Sequence, residues 1–566
     1  MIRHLMFPPA VFAVFAALAI WIRPERLPLE VEARKAEVVA ARLSGDAGLK
    51  AAVAVVDSAL ARQWRSAGLV PAGPADDLTF ARRLSLALTG TIPSLEELRL
   101  YEGLAPARRR TWYLQRLLDD PRTHASLAER WTRATVGVDE GAFLVYRRRR
   151  YRAWLASELA RNRPFDEIVR AMIGASGLWT DQPATNFVTA TVSPNTDRPD
   201  PVRLAGRVSK AFLGVRMDCA ECHDHPFESW TQEDFHGLAA FFGQTRTSGA
   251  GVWDDAWRRY TVKDRKTLED RAYAPGVPFA RELLPPAPSV TAAKRAPEPP
   301  ASAKDVKKGF PSRERRRRRL ASWVTDPRNS AFARAVVNRM VAILVGRPLV
   351  APVDDIPTEG PWPAPLAELA EDFATHGYDL RRLITVIALS DLLGLDSRTE
   401  QPVTEDAELL GAVFPLTRLR PEQVVRSLLQ AGSTTTLDRE SWWLAQLISF
   451  GSENDFLKRY GDIGEDRFES SAGTLPQRLL LMNGKISRDR IKGELGLAFG
   501  QIAALSPTNR AVLDNLWLAV LTRRPTEPEV AHFLARIEGR RGKARERAVA
   551  DLVWPLVNST EFSWNH

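Results

Sequence analysis

Apolar residues recur at three- and four-residue spacing along most of the chain, a period that a packed helix satisfies and a strand does not. Val53, Val56, Leu60 and Trp64 form one such stripe. Phe80, Leu84 and Leu88 form another, behind Asp76 or Asp77 as helix cap. Thr89-Gly90-Thr91-Ile92-Pro93 breaks that helix, and Ser94 with Glu97 makes a capping box for the next. The same order returns near the C-terminus. Leu518, Leu521 and Thr522 run into Arg523-Arg524-Pro525, and Thr526 with Glu529 repeats the box. A further amphipathic segment follows each copy, ending near Leu117-Leu118-Asp119-Asp120 and Leu556-Val557-Asn558-Ser559. Two copies make an internal repeat of a helix-turn-helix module, not a solenoid. Strand signals are sparse, Tyr260-Thr261-Val262 being the best. The expected fold is mainly α, a multi-helix two-domain protein.

Between Leu283 and Ser312 the composition turns to Pro, Ala, Ser and Lys, with too few large apolar residues to offset the entropy of ordering. This places a mobile linker at 283–312 between helical domains at 31–282 and 313–566. Within the second, periodicity runs from Leu320 to about Ser397 and resumes in a third block from Asp406 to His566. With 45% hydrophobic and 26% charged residues, the 566-residue chain is neither wholly disordered nor collagen-like.

Its one long apolar run excludes a multispan membrane protein. Residues Leu5 to Ile22 are uncharged and mostly apolar behind Arg3 and His4, the layout of an export signal. Ala17-Leu18-Ala19 fits a cleavage site, but Ile20-Trp21-Ile22 follows it, and Trp21 suits a membrane interface. Residues 1–22 therefore read as a signal peptide or, by a small margin, an uncleaved anchor. The expected location is the periplasmic side of the cell envelope, attached to the inner membrane.

The net charge of +10 is concentrated. Residues 294–319 hold eleven Lys/Arg against three acids, and Tyr146-Arg147-Arg148-Arg149-Arg150-Tyr151-Arg152 adds five more. An exported chain seldom meets nucleic acid, so the expected partners are anionic lipid or an acidic protein, with a solvated helix face as the plain alternative.

Both cysteines fall in one motif, Cys219-Ala220-Glu221-Cys222-His223. Two thiols three residues apart on a helical turn can each form a thioether to a haem vinyl group, and the adjacent imidazole can then bind iron. The expectation is one covalent haem c per chain on Cys219 and Cys222, with His223 as axial ligand. Three other readings compete: a thioredoxin-like pair, which needs a preceding strand; a structural disulfide; and zinc held by Cys219, Cys222, His223 and His225. His236, Met217, Met340, Met482 and His376 are candidates for a sixth ligand, each set against plain core packing. His225 and Asp224 are weak catalytic candidates. Asp224, Glu228 and Asp234 can act as acid or base, or simply cap helices.

Residues 212–242, FLGVRMDCAECHDHPFESWTQEDFHGLAAFF, closely resemble the signature of a two-domain family abundant in planctomycetes and related bacteria. In that family a cytochrome-associated PSCyt-type domain precedes a PSD-type domain. The resemblance extends upstream to ARRLSLALTGTIP at 81–93. Downstream it takes in RLASWVTDPRN at 319–329, FARAVVNRM at 332–340, PVDD at 352–355, HGYDL at 376–380, LMNG at 481–484 and NSTEF at 558–562. It implies an exported, cytochrome-associated, mainly helical protein, considered alongside periplasmic polysaccharide breakdown, and supplies no reaction. Two departures bear on any substrate site. The stretch from Trp131 to Glu140 replaces a W-L-D-L-x-R-Y-A-like segment, and Met340 follows Arg339 where the family commonly has Trp.

Three functions fit these features: periplasmic electron transfer by a mono-haem cytochrome-like protein within a complex, a haem-dependent oxidoreductase acting on carbohydrate, and an accessory or scaffold subunit of an envelope complex. One haem is too few for a wire within the chain, so the first requires other redox proteins or cytochromes as partners. No nucleotide-binding glycine loop, serine elbow or zinc-protease motif is present in the sequence.

Overall fold

The computed structural model describes residues 45–566 and positions 38 and 41, apart from 139–145, 193–197, 250, 256–257, 264–266, 288–314, 438–458, 461–467, 469–473 and 493–496. The apolar run Leu5 to Ile22 and most of the 283–312 segment lie outside the described residues. Among those described, no helix is long and apolar enough to cross a membrane.

The protein is mainly helical, and local chemistry sets the helix starts. The Asp46 side chain accepts from the Leu49 amide ahead of Ala47–Ser66, and Asp76 accepts from Leu78 and Thr79 ahead of Asp77–Leu88. Both expected capping boxes are formed, Ser94 with Glu97 opening Leu95–Glu102 and Thr526 with Glu529 opening Glu527–Ile537. The few strands pair in short antiparallel ribbons. Tyr260–Lys263 lies on Asp270–Tyr273, and Thr245–Ser248 on Gly251–Asp254. The latter ribbon reaches residues where the periodicity predicts helix to about Thr247. Gly251, at φ 111°, passes so close to Gly177 that a Cβ there would overlap its backbone.

Two apolar cores organise the chain. The first joins the Ala47–Ser66, Asp77–Leu88 and Pro106–Asp119 helices to Arg315–Val324, Ser330–Val345 and Leu380–Leu389, so it continues across the Pro-rich segment. The second is built from Pro421–Ala431, Asn509–Leu521 and Gly542–Val557. The internal repeat lies at their junction, with its two copies face to face. Leu86 and Ile92 of the first copy enter the second core, and Leu518 of the second copy enters the first. Gly90 and Thr522 occupy equivalent left-handed positions, at φ 75° and 59°. An ion pair of 2.6 Å between Arg524 and Glu102 crosses the contact.

Arg82 and Arg83 of the Asp77–Leu88 helix are fully buried. Arg82 donates to the carbonyls of Glu561 and Phe562, both at 3.2 Å. Arg83 donates to Leu393 O, Leu395 O and His566 O, with its guanidinium over the Phe414 ring. Each planar guanidinium thereby holds carbonyls from two distant segments in fixed directions, Arg83 those at 393–395 and 566 and Arg82 those at 520 and 561–562, where a lysine would offer only a point charge. The ARR motif thereby fastens both later blocks to the first.

Candidate functional site

The chain approaches the cysteine motif through a π-helical turn, Ser209–Leu213, ended by Gly214 at φ 63°. A Cβ at Gly214 would press on Ile356 and Ala335, and the Ile356 amide donates to Gly214 O at 2.6 Å. Arg216 then pairs with Asp354 at 2.7 Å. The PVDD segment of the later domain is therefore built against the residues just ahead of Cys219.

Asp218–Glu221 form one short helical turn. Met217 and Ala220 are buried and hold it to the core, while Cys219, Cys222 and His223 are exposed. The amides of Cys222 and His223 turn back to Cys219 O at 3.3 and 3.4 Å. Both cysteines are free thiols.

The two histidines have opposite hydrogen-bonding roles. His223 Nδ1 lies 2.8 Å from the Asp224 carbonyl, which can only accept, so Nδ1 carries the proton and the Nε2 lone pair is open. His225 Nδ1 accepts from the amides of Phe227 and Glu228 at 3.3 and 3.0 Å, which puts its proton on Nε2. His225 thus holds a tight turn that leaves Phe227 almost wholly exposed, and it offers a donor where His223 offers an acceptor.

The nearby acids serve mainly as caps. Asp224 Oδ1 accepts from the Gln232 amide at 2.8 Å, and Asp234 completes a capping box with Thr231 while pairing with Arg281. Glu228 is exposed. Capping accounts for Asp224 and Asp234 without an acid–base role.

Four of the sixth-ligand candidates have evident structural occupations. Met217 and Met340 are core residues, and His376 Nδ1 is held by the Asp372 carbonyl at 2.8 Å. His236 is buried, with Nε2 3.0 Å from Glu221 O and Nδ1 3.0 Å from the Tyr260 hydroxyl. Burial pushes its pKa below the ordinary value; the bond to Glu221 O opposes this and the Arg271 charge adds to the lowering. Met482 is the penultimate residue of the Leu475–Asn483 helix, where its carbonyl accepts from Trp554 Nε1.

Of the competing readings, a thioredoxin-like pair lacks its strand, because a π-helical turn precedes Cys219. Zinc would need a lone pair from His225 where that ring presents N–H, and among the described residues no three His, Cys, Asp or Glu side chains converge to hold a metal. The donor set fits a c-type haem better: two exposed thiols on one turn and an adjacent imidazole with Nε2 open.

Several arginines of the two runs have partners within the protein, while Arg149 and Arg150 are exposed. Glu129 pairs with Arg133, Arg148 and Arg152 at 3.0, 2.8 and 3.1 Å, and Arg150 donates to Thr180 O. Tyr146 and Tyr151 are buried, and so is Arg317. Burial raises the Glu129 pKa, but the hydrogen bond from Arg148 and the three guanidinium charges outweigh it and hold the carboxyl at about 2. A depressed pKa contributes stability above the unfolded value of about 4.3 that is lost as pH falls through the folded value. Glu129→Gln is therefore expected to lower stability at pH 7 by on the order of 3 kcal/mol, a deficit that narrows between about pH 4.5 and 2. Urea denaturation of both proteins across that range checks it, and a deficit that does not change with pH would count against the ion-pair account.

Residues 55–247 match the family model PSCyt2, a protein of unknown function (DUF1549), and residues 316–442 match PSD1, a protein of unknown function (DUF1553). No curated protein and no solved structure matches the chain.

Proposed function

The chain belongs to the two-domain family in which a PSCyt2 domain is followed by a PSD1 domain, and from that premise we propose that it is a mono-haem c-type protein of periplasmic electron transfer. The observation that carries the reading is the tautomer of His223. Iron-binding histidines characteristically donate their second ring N–H to a carbonyl or carboxylate, which fixes the ring and strengthens the ligating nitrogen. The 2.8 Å contact from Nδ1 to Asp224 O supplies that arrangement and leaves Nε2 free.

In this reading Cys219 and Cys222 would hold the haem through thioethers and His223 would bind its iron. When bound, the haem supplies a one-electron couple. The chain's own part is to present both thiols and Nε2 from one turn and to keep the His223 ring oriented. Met217 and Ala220 anchor the turn from beneath. The exposed setting suits exchange with a docked redox partner, because electron transfer needs close approach of the two groups. Residues 1–22 would place the body in the periplasm, at the inner membrane.

The test is a pyridine haemochrome spectrum of denatured, solvent-extracted protein made in a host with c-type maturation machinery. The expected result is the α-band of a two-thioether haem at one per chain. Protein that is folded and haem-free under those conditions would overturn the proposal.

A further inference from the structure

The Asp218–Glu221 turn stops after a single turn, and the chain leaves it at Cys222. Its last carbonyl, Glu221 O, lies between the two cysteines and cannot be satisfied by a continuing helix. Two side chains of one neighbouring helix, Gln232–Ala239, reach it instead. His236 Nε2 is 3.0 Å away and Gln232 Nε2 is 3.4 Å away. The two residues are four apart, hence on the same helix face.

Each is oriented in turn by a tyrosine from one β-ribbon. Tyr260 and Tyr273 are directly paired in that ribbon. The Tyr260 hydroxyl donates to His236 Nδ1, which leaves the ring proton on Nε2, facing Glu221. The Tyr273 ring lies 4.6 Å from the imidazole, and its hydroxyl is 3.5 Å from Gln232 Oε1. All of this apparatus converges on one backbone oxygen in the cysteine turn.

We infer that His236, with its tautomer set by Tyr260, is a positioning residue that holds the Cys219–His223 turn in shape by donating to Glu221 O. Core packing alone would call for an apolar ring at this place. A buried imidazole bonded at both nitrogens, one bond going to the site's own backbone, is a costlier choice that only the turn repays. The consequence for haem attachment rests on the function proposed above; the effect on the turn does not.

The experiment uses the full chain and hydrogen exchange of a peptide covering residues 219–223. It compares wild type, His236→Leu, His236→Gln and Tyr260→Phe, with thermal unfolding followed for each. His236→Leu is expected to speed exchange at the Cys222 and His223 amides about tenfold, the effect of one lost hydrogen bond. Gln can still donate to Glu221 O, so His236→Gln is expected to recover most of the protection. Folded His236→Leu with unchanged exchange, or no recovery by Gln, would overturn the inference. Should the Leu variant fail to fold, Tyr260→Phe decides: faster exchange supports the inference and unchanged exchange overturns it.

The same variants made in the maturation host are expected to carry more singly attached haem, read by the position of the haemochrome α-band. A haem-free wild type with the exchange pattern intact would sink the proposed function and leave this inference standing. A haem-loaded wild type whose exchange and attachment ignore residue 236 would do the reverse.

Discussion

Replacing Asp254 with Ala is expected to destabilise the protein by about 3–5 kcal/mol, the usual cost of leaving one partner of a buried ion pair alone. Arg317 is fully buried, and its Nε lies 3.0 and 3.1 Å from the two Asp254 oxygens. The rest of the guanidinium donates to Ile173 O, Ala175 O and Ser176 Oγ. Asp254 comes from the ribbon that follows the cysteine site, and Arg317 from the first helix after the Pro-rich segment. Loss of the carboxylate leaves a charge without a counterion where the two domains join. The double variant Asp254→Leu/Arg317→Met is expected to cost less than Asp254→Ala alone, because no buried charge then remains. Urea denaturation measures both. A loss under about 1 kcal/mol for Asp254→Ala would show the pair to be far better hydrated than its burial implies.

His223→Ala is expected to lower haem content at least about tenfold, while His225→Ala leaves it within about twofold, since metal sites tolerate loss of an axial ligand poorly. The asymmetry follows from the opposite tautomers. His223 offers the Nε2 lone pair, whereas the His225 acceptor is already used by the amides of Phe227 and Glu228. Cys219→Ser and Cys222→Ser are each expected to remove one thioether and shift the haemochrome band towards that of a singly attached haem. Haem staining on denaturing gels and the band position give the readouts. Equal loss in both histidine variants would remove the basis for choosing His223, and loss confined to His225→Ala would transfer the ligand role to that residue.

Much of the helical framework was legible from local pattern. The stripe Val53, Val56, Leu60 and Trp64 became one helix, with Val56, Leu60 and Trp64 buried. Both capping boxes closed as read, because an N-cap and its third residue meet within a single turn. Tyr260-Thr261-Val262, the best strand signal, did pair. The Thr245–Ser248 ribbon was not legible. Its partner strand and the close passage of Gly251 by Gly177 are long-range facts that no local period records.

The candidate site divides in the same way. Cys219, Cys222 and His223 are neighbours in sequence, so their spacing alone exposes them as a unit. His236 carries only a weak signal in the sequence, a histidine thirteen residues on, which reads as a ligand candidate set against plain core packing. Its partners, Glu221 O and the Tyr260 hydroxyl, became visible only once helix and ribbon were packed together. The arginine runs were the hardest to read. Charge density alone does not say which arginines stay at the surface: Arg148 and Arg152 turn to Glu129 and Arg317 to Asp254, while Arg149 and Arg150 are exposed.

By itself, then, the sequence determined the helical class, the helix starts, the internal repeat and the five-residue motif, since each depends on groups within a turn or two of one another. The tertiary structure alone decided which ring nitrogen of each histidine is open, which arginines are buried, and that the two copies of the repeat exchange Leu86 and Ile92 for Leu518 between cores. Those outcomes depend on which distant carbonyl or carboxylate arrives within about 3 Å of a side chain, and packing rather than periodicity brings it there.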